Sequence, residues 1–234
     1  MDLFYALPED IEGSHLTIKG QEAKHITKVL RYRVSDKIVV TDGMGTQFQG
    51  EISDIHQSAV TVSILSKQVE KRVEPFVTVC MGNIKKRDRL EFAVEKITEL
   101  GADRIIIFKG EHSQKENVRA DRLHAATLAA MKQSLRLYLP EIHIESSLKN
   151  ALNYCESDDL LIVADETVDK MHQTKAFRSD KTSFFLVIGP EGGFSLRERE
   201  LMDHHHAMKV SLGEKRLRTE TAAVIMTDRF KNRT

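Results

Sequence analysis

The chain has only two cysteines, Cys80 and Cys155, and they do not form a C-x-x-C pair. So few thiols argue against a disulfide framework and read as ordinary thiols of a reducing compartment. No stretch approaches the roughly 20 apolar residues that a membrane-spanning helix requires. The opening residues, MDLFYALPED, lack the basic start and apolar core of a secretory signal, so a cytoplasmic location is expected. Net charge is missing as well, because 35 basic residues face 35 acidic ones. No global field draws the protein to nucleic acid or to a membrane, and any polyanion must be met by a local patch. Internal repeats and low-complexity segments are also absent. The 234 residues suffice for one large domain or two small ones, with a sizeable core.

The hydrophobic pattern changes character near residue 70. Before it, HLTIKG, KIVVTD, TQFQGEISDI and SAVTVSILSK are short, partly alternating and rich in Val, Ile and Thr, as strands are. DGMG at 42–45 supplies a turn between two of them, and one helical segment, QEAKHITKVLRY, interrupts the set. Several short strands around one helix predict a small β-barrel over residues 1–70. QVEKRVEP then reads as a polar linker closed by Pro75.

From 75 to 234 strand and helix alternate. PFVTVCMG, DRIIIF, DLLIVAD, FFLVIG and AMKVSL are buried-strand runs. RDRLEFAVEKITELG is a helix with Leu90, Val94, Ile97 and Leu100 on one stripe and Gly101 placed to end it. RADRLHAATLAAMKQSLRL and RTETAAVIMTDRF are two more helices. SLRERELM starts another, with Ser195 and Glu198 spaced as a capping box. This alternation predicts an α/β domain with a mostly parallel sheet and helices on both faces.

Two loops of this second domain follow strands, and ligands of parallel sheets bind beyond the carboxyl ends of the strands. One is VIGPEGGFS, residues 187–195, and the other is SLGEKRLRTETAA, residues 211–223. The first lacks the Lys-Ser/Thr of a P-loop, and its glycines are not spaced as G-x-G-x-x-G. It therefore suits neither a nucleoside triphosphate nor a dinucleotide, which weighs against a nucleotide-dependent oxidoreductase.

The residues resemble a known family. VIGPEGGFS followed by LGEKRLRTETAA is similar to the paired signature of the RsmE family, bacterial 16S ribosomal RNA uracil-N3 methyltransferases of the knotted SPOUT class. HITKVLRYRVSDKIVVTDGMG (25–45), KRDRLEFAVEKITELG (86–101) and QSLRLYLPEI (133–142) resemble further family segments, in the same order. There are two departures: Ser35 stands where the family usually has glycine, and Lys132 where an acidic residue is common.

The resemblance implies a trefoil-knotted domain over 75–234, a PUA-like RNA-binding barrel over 1–70, a homodimer and S-adenosylmethionine as cofactor. It implies methylation of N3 of a specific uridine in 16S ribosomal RNA of the small ribosomal subunit. Two alternatives remain at this stage: a ribose 2′-O-methyltransferase of the same class, and a non-catalytic RNA-binding protein. A nucleoside bearing a sulfonium needs backbone groups for its polar edges and apolar walls elsewhere. The candidate cofactor residues are Leu186, Ile188, Gly189, Pro190, Gly192 and Gly193 in the first loop. In the second they are Leu212, Gly213, Leu217, Arg218, Thr219 and Ala222. Arg218 and Arg136 are candidates for a cation that steadies a uracil anion, and Glu220 is the nearest candidate proton acceptor. Arg218 and Glu220 could instead serve the structure by pairing.

Local charge supplies the RNA contact. Lys24, His25, Lys28, Arg31 and Arg33 form a basic patch inside a neutral protein, and Lys85 and Arg87 could extend it. The run His204, His205, His206 invites a metal reading, but consecutive helical side chains diverge and no matching ligand set accompanies them, so no metal is expected.

Overall fold

The computed structural model describes residues 2–56, 58–113, 117–166 and 180–232. The chain forms two compact units: residues up to Arg72 together with Met131–Leu139, and Val73–Ala130 with Pro140 onward.

In the first unit the strands are β1 (Leu3–Tyr5), β2 (Ile11–Glu12), β3 (His15–Lys19), β4 (Lys37–Thr41), β5 (Thr46–Ile55) and β6 (Ala59–Val69). They form a six-stranded sheet in the order β1-β4-β5-β6-β3-β2, antiparallel except where β1 runs parallel to β4. Alternation decides which face is covered. Leu16 and Ile18, Ile38 and Val40, and Val60 and Val62 all point into one core with Phe4 and Ile52. The expected helix is present but irregular. It begins as α1 (Gly20–Lys24) and widens into one π-helical turn at His25–Val29. Ala23 and Ile26 anchor this stretch in the core while its polar residues face outward. Arg31 and Ser35 then adopt left-handed backbone, at φ 59° and 75°.

The segment 131–139, expected from sequence to continue the second domain, packs with this first unit. Its anchor is the DGMG turn. Gly45 N donates to Leu137 O at 2.9 Å, and Leu139 N donates to Gly43 O at 2.8 Å. A Cβ on Gly45 would lie 2.3 Å from the Tyr138 ring, so glycine is needed there to let the ring approach. Lys132, the departure from the family pattern, is met by Glu22 at 2.6 Å.

In the second unit the elements follow as β7 (Phe76–Gly82), α2 (Arg87–Glu99), β8 (Arg104–Phe108) and α3 (Ala120–Gln133), whose last residues belong to the first unit. Then come β9 (Glu141–Glu145), α4 (Leu148–Ala151), β10 (Leu160–Ala164), β11 (Ser183–Ile188), α5 (Leu196–His204), β12 (Met208–Val210) and α6 (Thr219–Lys231). The sheet order is β12-β10-β11-β7-β8-β9, with every pairing parallel. Side chains of β7 and β11 alternate between two cores, as a sheet covered on both faces requires. Val79, Met81, Phe184 and Leu186 join Leu90, Val94 and Ile97 of α2 and Met226 and Phe230 of α6. Cys80, Phe185 and Val187 join Leu148 and Met202 on the other side. β9 was not anticipated, because EIHIE is a half-exposed edge strand without a long apolar run.

Helix ends follow their sequence signals. Gly101, at φ 95°, closes α2 in a conformation that side chains resist. The Ser195–Glu198 capping box opens α5, with both reciprocal bonds formed at 2.8 and 3.1 Å. The far end of α6 is locked by Lys231. Its ammonium donates to Asp103 Oδ2 at 2.8 Å, to Pro75 O at 2.7 Å and to Val73 O at 3.0 Å. Both thiols are free, and burial pushes that of Cys155 up to about 12. Among the described residues no helix is long and apolar enough to cross a membrane.

Candidate functional site

Strands β10, β11 and β12 end side by side, and the loops leaving their carboxyl ends enclose a cavity of about 470 Å³. That volume lies in the range of small-molecule and cofactor sites. Its apolar walls include Ile188, Leu212, Leu217 and Ala222. Its backbone walls are the two loops singled out in the sequence, and hydrogen bonds join them: Thr219 Oγ1 donates to Gly189 O at 3.0 Å, and Arg216 Nη2 donates to Glu191 O at 3.5 Å.

The glycines have separate reasons. Gly193 (φ 71°) and Gly213 (φ 152°) both line the cavity, and a Cβ on either would meet nothing within 4 Å. Bare backbone therefore faces the cavity at both places, as close approach to a ligand's polar edge requires. Gly192 serves packing instead. A Cβ there would come within 2.8 Å of the His112 Cβ, and Gly192 O lies 3.2 Å from His112 Nδ1. Gly82, at the end of β7, is needed so that Pro190 can pack against it, since a Cβ would sit 2.4 Å from Pro190 N.

Of the residues expected at the cofactor, Ile188, Gly189, Pro190, Gly193, Leu212, Gly213, Leu217, Arg218, Thr219 and Ala222 line the cavity. Two do not. Leu186 is fully buried in the core beneath α2 and α6, one turn of the strand alternation short of the loop, and Gly192 backs onto His112.

The charged candidates separate by partner. Arg218 is the N-cap residue of α6, exposed at the cavity, with no ion pair among the described residues. Glu220 is held by Arg89, which donates from Nε at 2.7 Å and from Nη2 at 2.6 Å, one bond to each carboxylate oxygen. Burial pushes the Glu220 carboxyl up. The Arg89 fork, the helix backbone and the charges of Arg89 and Arg218 outweigh it, so the net direction is down. A carboxylate so held is a weak proton acceptor. Arg136 is half-buried in the first unit and is not part of the cavity lining.

The RNA candidates Lys24, His25, Lys28, Arg31 and Arg33 are all exposed on or just after the π-helical stretch of the first unit. Lys85 and Arg87 are exposed where α2 begins in the second.

Several lining residues were missed. Arg89 and Lys86 lie within the quoted KRDRLEF segment, and Arg199 lies on α5. Ala164, Asp165 and Glu166 follow β10, with Asp165 paired to Arg199 at 3.0 Å. The rule that ligands lie beyond strand ends pointed at DLLIVAD as much as at FFLVIG, but DLLIVAD has no glycine to mark its loop.

A model described as an RNA methyltransferase domain matches residues 72–231, and one described as an RNA methyltransferase PUA domain matches 18–65. A curated relative from Bacillus subtilis (strain 168), ribosomal RNA small subunit methyltransferase E, is 28% identical over 223 residues, covering 90% of this chain and 87% of its own. The chain belongs to the ribosomal RNA small subunit methyltransferase E family. A crystal structure described as a probable rRNA-methyltransferase from Porphyromonas gingivalis is 31% identical, with a TM-score of 0.83, covering 97% of this chain and 95% of its own. The crystal structure of ribosomal RNA small subunit methyltransferase E from Neisseria gonorrhoeae, bound to S-adenosyl methionine, also gives a TM-score of 0.83. It is 24% identical over 97% of this chain and 95% of its own, and so speaks to the fold. The α/β unit with its parallel sheet and the PUA-like first unit are thus the fold of this methyltransferase family.

Proposed function

We propose that this protein transfers a methyl group from S-adenosylmethionine to N3 of a uridine in 16S ribosomal RNA of the small subunit. The observation that carries this reading is the cavity at the ends of β10–β12, where both family loops converge on bare backbone at Gly193 and Gly213. The residues suit such a cofactor. Apolar side chains wall one part of the cavity, backbone lines another, and the carboxylates of Asp165, Glu166 and Glu191 stand among its cations.

When bound, S-adenosylmethionine supplies a methyl on cationic sulfur, which is left as a neutral thioether. The uracil must first lose its N3 proton to solvent water, and the anion so formed makes the new N–C bond. Arg218, exposed at the cavity and without an ion pair among the described residues, is positioned to steady the resulting charge on the uracil carbonyls. Arg136, on the first unit, is the second candidate for that cation. Glu220 holds the loops through Arg89 rather than accepting the proton. The exposed cations from Lys24 to Arg33 bind RNA phosphate, with Lys85 and Arg87 adding to the charge. The target base must leave its stack to reach a cavity at the strand ends. The protein acts as a homodimer in the cytoplasm, where its substrate is assembled.

Small ribosomal subunits lacking the modification, incubated with protein and methyl-labelled cofactor, test this. Digestion to nucleosides should yield N3-methyluridine at one mapped position. Label recovered as a 2′-O-methylnucleoside would establish the ribose reaction instead, and no transfer with normal RNA binding would reduce the protein to a binding module.

A further inference from the structure

Arg89 lies in the first turn of α2 and reaches both loops of the cavity at once. Its Nε and Nη2 bind the two oxygens of Glu220, in the first turn of α6, and its Nη1 binds Glu191, in the loop after β11. Glu191 is also held from the same helix start, accepting from Lys85 N at 3.3 Å. The neighbouring side chain of α2, Leu90, is packed in the core with Val94 and Ile97, so the helix is a rigid reference for everything Arg89 touches. The Glu220 side chain is only 8% exposed, and the guanidinium at its mouth is 23% exposed.

We propose that Arg89 is a positioning residue for the cofactor, its guanidinium tying loop 189–193 to the start of α6 and so setting the width of the cavity. This rests on the reading of the cavity as the S-adenosylmethionine site. Arg89 is suited to hold and unsuited to react, because two carboxylates already face its charge and its fork is committed to them. Without it, Glu191 and Glu220 would face one another as like charges across the cavity wall. The ties left among the described residues would be the hydroxyl bond from Thr219 to Gly189 and the long, exposed bond from Arg216 to Glu191 O at 3.5 Å. A lysine could not replace it, having a point charge where a planar fork spans two acids.

Arg89→Met keeps the aliphatic length and removes the fork. It should weaken S-adenosylmethionine binding, measured by calorimetry, on the order of 30-fold, as truncating one partner of a closely held charge pair does. In ligand-free protein, amide hydrogen exchange should accelerate at 189–193 and 217–222 together while the strands stay protected. With cofactor saturating, the single-turnover rate should fall by a smaller factor than the affinity does, since Arg89 acts on the loops and not on the reacting atoms. Arg89→Lys should resemble Arg89→Met. Adding Glu220→Gln to Arg89→Met should recover roughly fivefold in affinity, because the uncompensated carboxylate is then gone.

Wild-type affinity with unchanged exchange in Arg89→Met would overturn the proposal. So would normal binding with a rate down by about 10² or more, which would make Arg89 a catalytic residue. If wild-type protein binds no S-adenosylmethionine, the functional reading falls and the cofactor role of Arg89 with it. The ligand-free exchange data would still report separately whether Arg89 sets the two loops.

Discussion

Lys24, Lys28, Arg31 and Arg33 stand exposed on one short stretch of the first unit, with no ion pair among the described residues. In the second unit, Arg89, Arg199 and Lys231 each hold a carboxylate: Glu220 and Glu191, Asp165, and Asp103. The difference separates two uses of positive charge. A solvated, unpaired cation costs the fold little and can exchange its counterions for RNA phosphates. A cation locked to an acid is spent on geometry, and its removal strands the partner. Arg218 lines the cavity without an ion pair among the described residues, as Lys86 and Lys215 also do, but of the three it alone caps α6, beside the Thr219–Gly189 bond that joins the two loops, and that place is the ground for assigning it to the substrate.

The largest expected effect is at the most deeply locked pair. Lys231 and Asp103 have side chains only 7% and 5% exposed. Lys231→Met should lower unfolding free energy by about 3–5 kcal/mol, because it takes the ammonium from a buried carboxylate that also accepts from Val77 N at 2.8 Å. Chemical denaturation followed by circular dichroism measures it, and a loss below about 1 kcal/mol would show that the pair is no lock.

Arg218→Lys comes next. If the free guanidinium steadies the uracil anion, single-turnover methyl transfer should slow by about 10²–10³ with both ligands still bound. A near-normal rate would return Arg218 to the locked class, as a residue of the loop's structure.

Replacing Lys24, Lys28 and Arg31 together by alanine should weaken RNA binding and flatten the slope of log affinity against log salt by about two to three units. Stability and cofactor affinity should be unchanged. A variant that unfolds would mean that these cations are structural after all.

The smallest effect concerns backbone in the same basic region. Ser35 sits at φ 75°, in left-handed backbone that favours glycine. Ser35→Gly should stabilise the protein by about 1 kcal/mol, the cost of left-handed backbone to a residue with a Cβ. A melting temperature unchanged or lowered would show that serine's side chain compensates.

Much of this was legible in the sequence because it depends on neighbours along the chain. Strand runs, the helix stripe of Leu90, Val94 and Ile97, the Ser195–Glu198 cap and the Gly101 stop are short-range matters of periodicity and backbone conformation. The two ligand loops were also visible, as glycine-bearing turns after strands, and ten of the twelve cofactor residues expected from them line the cavity. Tertiary structure alone decided which distant groups meet. It placed β11 between β10 and β7, joined Thr219 to Gly189, and set Arg89 on Glu220, 131 residues away. It also moved 131–139 onto the first unit, where Gly45 admits Tyr138, and directed Gly192 toward His112 instead of the cavity. Periodicity tells each residue which face of its own element it occupies. It carries no information about which element lies opposite, because that follows from how whole hydrophobic faces pack, and the ion pairs and close glycine contacts form only afterwards.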